Sequence, residues 1–188
     1  IDPWARTVQG SQEVVVTNDT QVSWGDLYFH LFPNLAHYDG ALDISSVQED
    51  GQPLPFSYAA ERTAIRVVPP QPLAPGASLT IDLVFSVEAP APTTPYVLFG
   101  ASQGILNLPL AYPVLAVFDE AAAAAGQSIP WRLDMPATYG DTAFTQAALY
   151  QVTATVPSTF TVVATGVLLA RTSSSDGVDT WHWTSGPI

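Results

Sequence analysis

The side chains best suited to chemistry are few in this chain, and their spacing does not bring them together. His30, His37 and His182 are its three histidines, and cysteine is absent. No H-E-x-x-H occurs, the pattern that sets two imidazoles one helical turn apart for zinc. A shared metal site would need three distant segments to converge. Without cysteine, disulfides, thiol nucleophiles and thiolate metal sites are excluded together. Asp119 and Glu120 are adjacent carboxylates, but neighbours at a strand end point apart and cannot flank one scissile bond. There is no Gly-x-Ser-x-Gly elbow, phosphate-binding glycine loop or dinucleotide fingerprint. Residues 173–175, three serines, read as a turn. On this reading the chain has no catalytic residue and no metal ligand of its own.

One aromatic pattern stands out. Trp181 and Trp183 lie two apart, so on a strand they share a face while His182 takes the other. Such a pair could form a platform for stacking sugars, or an internal packing stripe; the stripe is the commoner use of paired indoles. Trp24, Tyr28 and Phe32 read as core in the same way, with Phe29 on the opposite face.

The composition narrows the classes of function. The 188 residues are 47% hydrophobic and only 12% charged, enough apolar material for a real core. Seventeen acidic residues face five arginines and no lysine, for a formal charge of −12. A phosphate backbone or an anionic membrane surface would be repelled, which argues against nucleic acid and membrane partners. No apolar run approaches the ~18 residues of a membrane-spanning helix, and residues 1–20 lack the charged-then-apolar pattern of a signal peptide. The chain opens at Ile1 rather than Met, and both ends are expected to be cuts within a longer protein.

Strands must position these residues, because seventeen prolines and twelve glycines leave little room for helices. Strands are predicted at residues 14–17, 22–32, 41–48, 55–58, 63–68, 78–87, 96–99, 105–110, 114–118, 149–156, 159–170 and 178–184. The alternation of Leu79, Ile81, Leu83, Phe85 and Val87 is the cleanest. Residues 41–48 alternate through Leu42 and Ile44, then slip before Val47. Turns are predicted at Asn18-Asp19, residues 49–51, 59–62 and 172–177, and at Pro75-Gly76. The sole helix candidate is 120–126 (EAAAAAG), alanine being the best helix former and Gly126 a natural stop; residues 127–142 read as loop. The expected fold is all-β: a β-sandwich of many short, mainly antiparallel strands with at most one short helix. Residues 1–188 read as a single β-domain, with an internal subdivision expected near residues 89–95 at the proline cluster APAPTTP.

The order of motifs carries a resemblance. VVVTNDT (14–20), LYFHLFPN (27–34), PLAPGASLTIDLVFS (72–86), AYPVLAVFDE (111–120) and GDTAFTQAALYQVTATVPSTFTVVATG (140–166) follow one another along nearly the whole chain. In this order they resemble the amino-terminal β-domain of M1-family zinc aminopeptidases, in a divergent bacterial branch. The resemblance implies a saddle-like β-domain, the N-terminal portion of a larger metallopeptidase, packed beside a catalytic domain of the same polypeptide. That following domain would hold the zinc, the general base and the Gly-x-Met-Glu-Asn motif, so zinc is expected there and no cofactor in this chain. Family N-domains lend a Gln or Glu to hold the free amine of a peptide substrate at the domain boundary; counting back from Tyr112-Pro113 places it at Gln103. Here the motif departs from the family's Gln-x-Gln/Glu form. The resemblance also implies an extracytoplasmic or cell-surface location. The alternative, from the tryptophan pair and the Ser/Thr-rich composition, is an independent carbohydrate-binding or adhesion β-sandwich module.

Overall fold

Period-2 alternation builds most of the structure, a computed structural model that describes residues 1–91, 98–133 and 143–188. In chain order the strands are β1 (Thr7–Thr17), β2 (Leu27–His30), β3 (Ala41–Glu49), β4 (Gln52–Pro53), β5 (Phe56–Ala59), β6 (Ala64–Val67), β7 (Ser78–Glu88), β8 (Gly100–Ser102), β9 (Ile105–Asn107) and β10 (Val114–Leu115). The short helix α1 (Glu120–Ala124) precedes β11 (Tyr150–Pro157), β12 (Val167–Ser173) and β13 (Val178–Ser185). Among the described residues, strands in four sheets with one short α-helix make the fold all-β. The chain divides into two compact units: Gln9–Thr145, and Ile1–Val8 with Gln146–Ile188. The subdivision expected near 89–95 touches residues 92–97, which lie outside those described.

Within Gln9–Thr145, one sheet has the order β1-β7-β3-β4 and another β10-β2-β6-β5, with β8-β9 as a separate hairpin. β7 buries Leu79, Ile81, Leu83, Phe85 and Val87 on one face, as its alternation predicts. The slip read between Ile44 and Val47 is a bulge against β7, with Ser45 as the extra residue donating from Oγ to the Val84 carbonyl at 3.2 Å. β2 differs from these half-buried strands. Leu27, Tyr28, Phe29 and His30 are all buried, so both of its faces meet protein. Tyr58 of β5 links the two sheets, its hydroxyl donating to Asp43 Oδ1 at 3.1 Å and accepting from the Ile44 amide at 3.0 Å.

Several predicted strands are shorter than their apolar runs. Of residues 22–32 only Leu27–His30 enters a sheet; Trp24 forms an isolated bridge with Leu73, and Phe32–Asn34 turns as a 3-10 helix at Pro33. The cause lies upstream, in the turn at Asn18. This fully buried amide donates to the Val22 and Leu73 carbonyls, both at 2.8 Å. It also accepts from the Thr20 amide and hydroxyl at 3.0 and 2.7 Å, and Trp24 Nε1 donates to that hydroxyl at 3.0 Å. The backbone groups a longer strand would use are thus satisfied locally. In the run 105–110 the ladder covers Ile105–Asn107, and in 114–118 it covers Val114–Leu115, Phe118 forming a lone bridge with Trp131. The strand expected at 96–99 falls partly outside the described residues.

The other unit carries the sheet β11-β13-β12. The strand predicted at 159–170 begins only at Val167 and runs on to Ser173. Phe160 closes a turn on Pro157 (N–H to carbonyl, 2.9 Å), and Phe160 and Val162 pack against the Trp181–Trp183 cluster instead of joining the ladder. Gly166 then turns the chain into β12 at φ +106°, where a Cβ would stand 2.4 Å from the Thr184 carbonyl oxygen.

Candidate functional site

Gln103 is held at the tip of the β8–β9 hairpin. Gln103 (φ 51°) and Gly104 (φ 79°) are both left-handed, the conformation of a two-residue turn that matches strand twist. Such a φ is unfavourable for glutamine and natural for glycine, so the Gln-Gly pair was the available turn signal. The base of the hairpin is anchored: Asn107 Nδ2 donates to the Leu98 carbonyl and the Ala101 amide to that of Pro90, both at 2.8 Å. Phe99, buried, stacks on Tyr38 with ring centres 5.5 Å apart. The Gln103 side chain is exposed, and Ile105 beside it is exposed too. A hairpin anchored at its base therefore presents one amide, with two donors and an acceptor, to an outside group.

The adjacent carboxylates are already committed to the fold. Asp119 caps α1, its Oδ1 accepting from the Ala122 amide at 3.0 Å, while Oδ2 pairs with Arg132 at 2.7 Å. Glu120 accepts from the Gln21 amide at 2.8 Å. The predicted helix 120–126 is realised as Glu120–Ala124, with Gly126 left-handed (φ 75°) just beyond it. Beside it lies a cavity of about 380 Å³ lined in part by Asp119, Gln127, Trp131 and Arg132. Its one cation and one anion are spent on each other.

The histidines are engaged separately. His30 Nε2 lies 3.0 Å from the Arg132 carbonyl and its ring stacks on Phe32; His37 meets Tyr38 edge-on; His182 Nδ1 lies 2.9 Å from Thr153 Oγ1. Among the described residues, no three of His, Asp and Glu come together in a way that could hold a metal ion.

Trp181 and Trp183 share a face as predicted, stacked at 5.8 Å with their planes 4° apart. Each is only 5% exposed, under Ile1, Ala154, Phe160 and Val162. Burial removes them as a sugar platform. Asp179, on the same strand face, is fully buried and takes Arg171 as its ion-pair partner, and that guanidinium lies 4.4 Å over the Trp181 ring. Hydrogen bonds from Ser173 and then Arg171 hold the Asp179 carboxyl below the usual carboxylate range. Sequence reading missed this pair, because nothing local distinguishes Asp179 from the chain's other acids. Arg62, Arg66 and Arg132 likewise pair with Asp43, Asp26 and Asp119, so the acidic surplus faces solvent largely uncompensated.

No protein-family model matches the sequence, and no curated protein does. Solved structures do match. The whole chain superposes on 37% of a crystal structure of a mutant M1 zinc metallopeptidase from Deinococcus radiodurans, with a TM-score of 0.63 and 19% identity. A two-domain M1 zinc metallopeptidase mutant bound to L-arginine gives a TM-score of 0.61 at 18% identity, again over the whole chain and 37% of that protein. A further structure of the Deinococcus radiodurans enzyme gives 0.56 at 20% identity, over 96% of this chain and 35% of the other. From end to end, then, the chain has the fold of a little over one third of an M1 zinc metallopeptidase.

Proposed function

We propose that this chain is the non-catalytic, N-terminal β-domain of an M1-like zinc metallopeptidase, packed beside the catalytic domain of the same polypeptide outside the cytoplasm. One observation carries the reading: the whole chain, both units included, matches 37% of such an enzyme in fold. The donor set here does not fit a zinc site, since His30 and His182 are bonded elsewhere and no metal-holding group forms among the described residues. Zinc and the general base therefore belong, in this proposal, to the polypeptide beyond the chain.

Gln103 is the group of this chain assigned to the substrate. Its exposed amide, on an anchored hairpin, would accept a hydrogen bond from the free ammonium of a peptide. A hydrogen bond to a charged group contributes about 1.5–3 kcal/mol, so Gln103→Ala in the active polypeptide should raise KM roughly 10- to 100-fold with a smaller change in kcat.

The test compares two proteins on aminoacyl-arylamides, with and without a zinc chelator. The natural polypeptide containing this chain should cleave them and lose activity to the chelator, and the 188-residue chain alone should be silent. Turnover by the chain alone would sink the proposal, as would a natural polypeptide without H-E-x-x-H beside this domain.

A further inference from the structure

Among the described residues, β12 forms one end of the sheet β11-β13-β12 and pairs with β13 alone. Every residue of β12, Val167–Ser173, is exposed, and none of its backbone groups bonds outward from the sheet among the described residues. The opposite edge is engaged at Thr155, whose carbonyl accepts from the Ile1 amine at 2.9 Å. An open row of amides and carbonyls is a template for another strand, and proteins usually blunt it with lysine, proline or inward-pointing charge. β12 has none of the first two. Its one charged residue, Arg171, is turned to Asp179 and Trp181. A bulge at Leu169 bends the start of the edge and leaves residues 170–173 in regular register with β13.

The side chains match the open backbone. Leu168 and Val152 flank Trp183 in one cross-strand row and are both partly exposed, while Val167, Leu169 and Val163 are more so, Val163 at 90%. Residues 159–175 contain no acidic residue, in a chain that carries seventeen. This is a largely apolar strip with one cation, Arg171, and no acid, on a strongly acidic molecule.

We propose that the β12 edge is a docking strand that takes an uncharged, apolar β-strand from the part of the same polypeptide lying beyond this fold. The inference rests on the metallopeptidase reading, in which the matched enzyme continues for most of its length outside the matched share. Charge selects against a second copy as the occupant: two molecules of −12 each repel, whereas an uncharged strand of the adjoining domain meets an edge whose one charge, Arg171, is already paired with Asp179. Strand addition supplies main-chain hydrogen bonds, and the exposed leucines and valines supply the apolar contact.

Amide hydrogen exchange across residues 167–173 tests this, comparing the natural polypeptide with the 188-residue chain. The outward amides should exchange at least roughly 100-fold more slowly in the natural polypeptide. Leu169→Asp should return that exchange toward the rate of the isolated chain, while leaving the isolated chain's own unfolding midpoint unchanged. Equal exchange in the two proteins overturns the proposal, and so does protection that survives Leu169→Asp. Protection of the isolated chain that rises with concentration, with a doubled mass, overturns it in favour of self-pairing. An active metallopeptidase with a freely exchanging edge brings down only this inference; a natural polypeptide with no peptidase domain brings down both.

Discussion

β2 and β12 are similar as text and opposite in environment. Leu27–His30 and Val167–Ser173 are both apolar runs bounded by turn residues, yet all of β2 is buried and all of β12 is exposed. β2 lies between β10 and β6 in the middle of its sheet, so its edges are paired and both faces are covered. Among the described residues, β12 is joined to β13 on one side only. The difference teaches that an apolar run specifies the capacity to be buried. Its position in the sheet decides whether the burial happens within the fold or waits for a partner.

The sharpest way to break the comparison is to truncate one residue of each strand. Phe29→Ala should cost about 3–5 kcal/mol in denaturant unfolding, because a fully buried ring leaves a cavity that close-packed neighbours cannot fill. At the entry to β12, Gly166→Ala should cost about 1–3 kcal/mol, since its φ is unfavourable for alanine and the Thr184 carbonyl occupies the Cβ position. Tryptophan emission from Trp181 and Trp183 would report that loss.

An acid titration sharpens the same contrast within the β11-β13-β12 sheet. The folded carboxyl of Asp179 is held below its unfolded value by Ser173 and Arg171. The stabilisation is therefore fully present above the ordinary carboxylate range and is lost as the pH falls below about 4, through the depressed folded value. Asp179→Asn should flatten that part of the stability–pH curve, measured by thermal midpoints between pH 2 and 6. A curve that keeps its slope would show that the acid sensitivity lies elsewhere. The smallest effect is expected on β12 itself: Leu169→Ser in the isolated chain should change stability by less than about 0.5 kcal/mol. A loss of 2 kcal/mol or more would mean that β12 already has a covering partner.

Much of the fold was legible. The alternation of β7, the slip in β3, the hairpin across 59–62, the alanine helix and the shared face of Trp181 and Trp183 all depend on periods of two or on local turn chemistry, and these survive folding. The misses share a cause. Residues 22–26 and 159–166 have strand composition, but Val22 bonds to Asn18 and Thr20, Trp24 to Leu73, and Phe160 to the turn at Pro157. Counting from Tyr112-Pro113 singled out Gln103 as a candidate, but its place at a left-handed hairpin tip could not be read that way.

What the amino-acid order determined by itself was the all-β class, the run of strands and turns, the acidic field and the scarcity of residues able to do chemistry, because each follows from composition or from near neighbours. Tertiary structure alone decided that the indole pair would be buried, that Asp119 and Glu120 would be spent on a cap and a backbone amide, and that β12, among the described residues, would pair with β13 alone. Those outcomes depend on which distant segment arrives beside each residue, and pairing across a sheet is not encoded in the spacing of either strand alone.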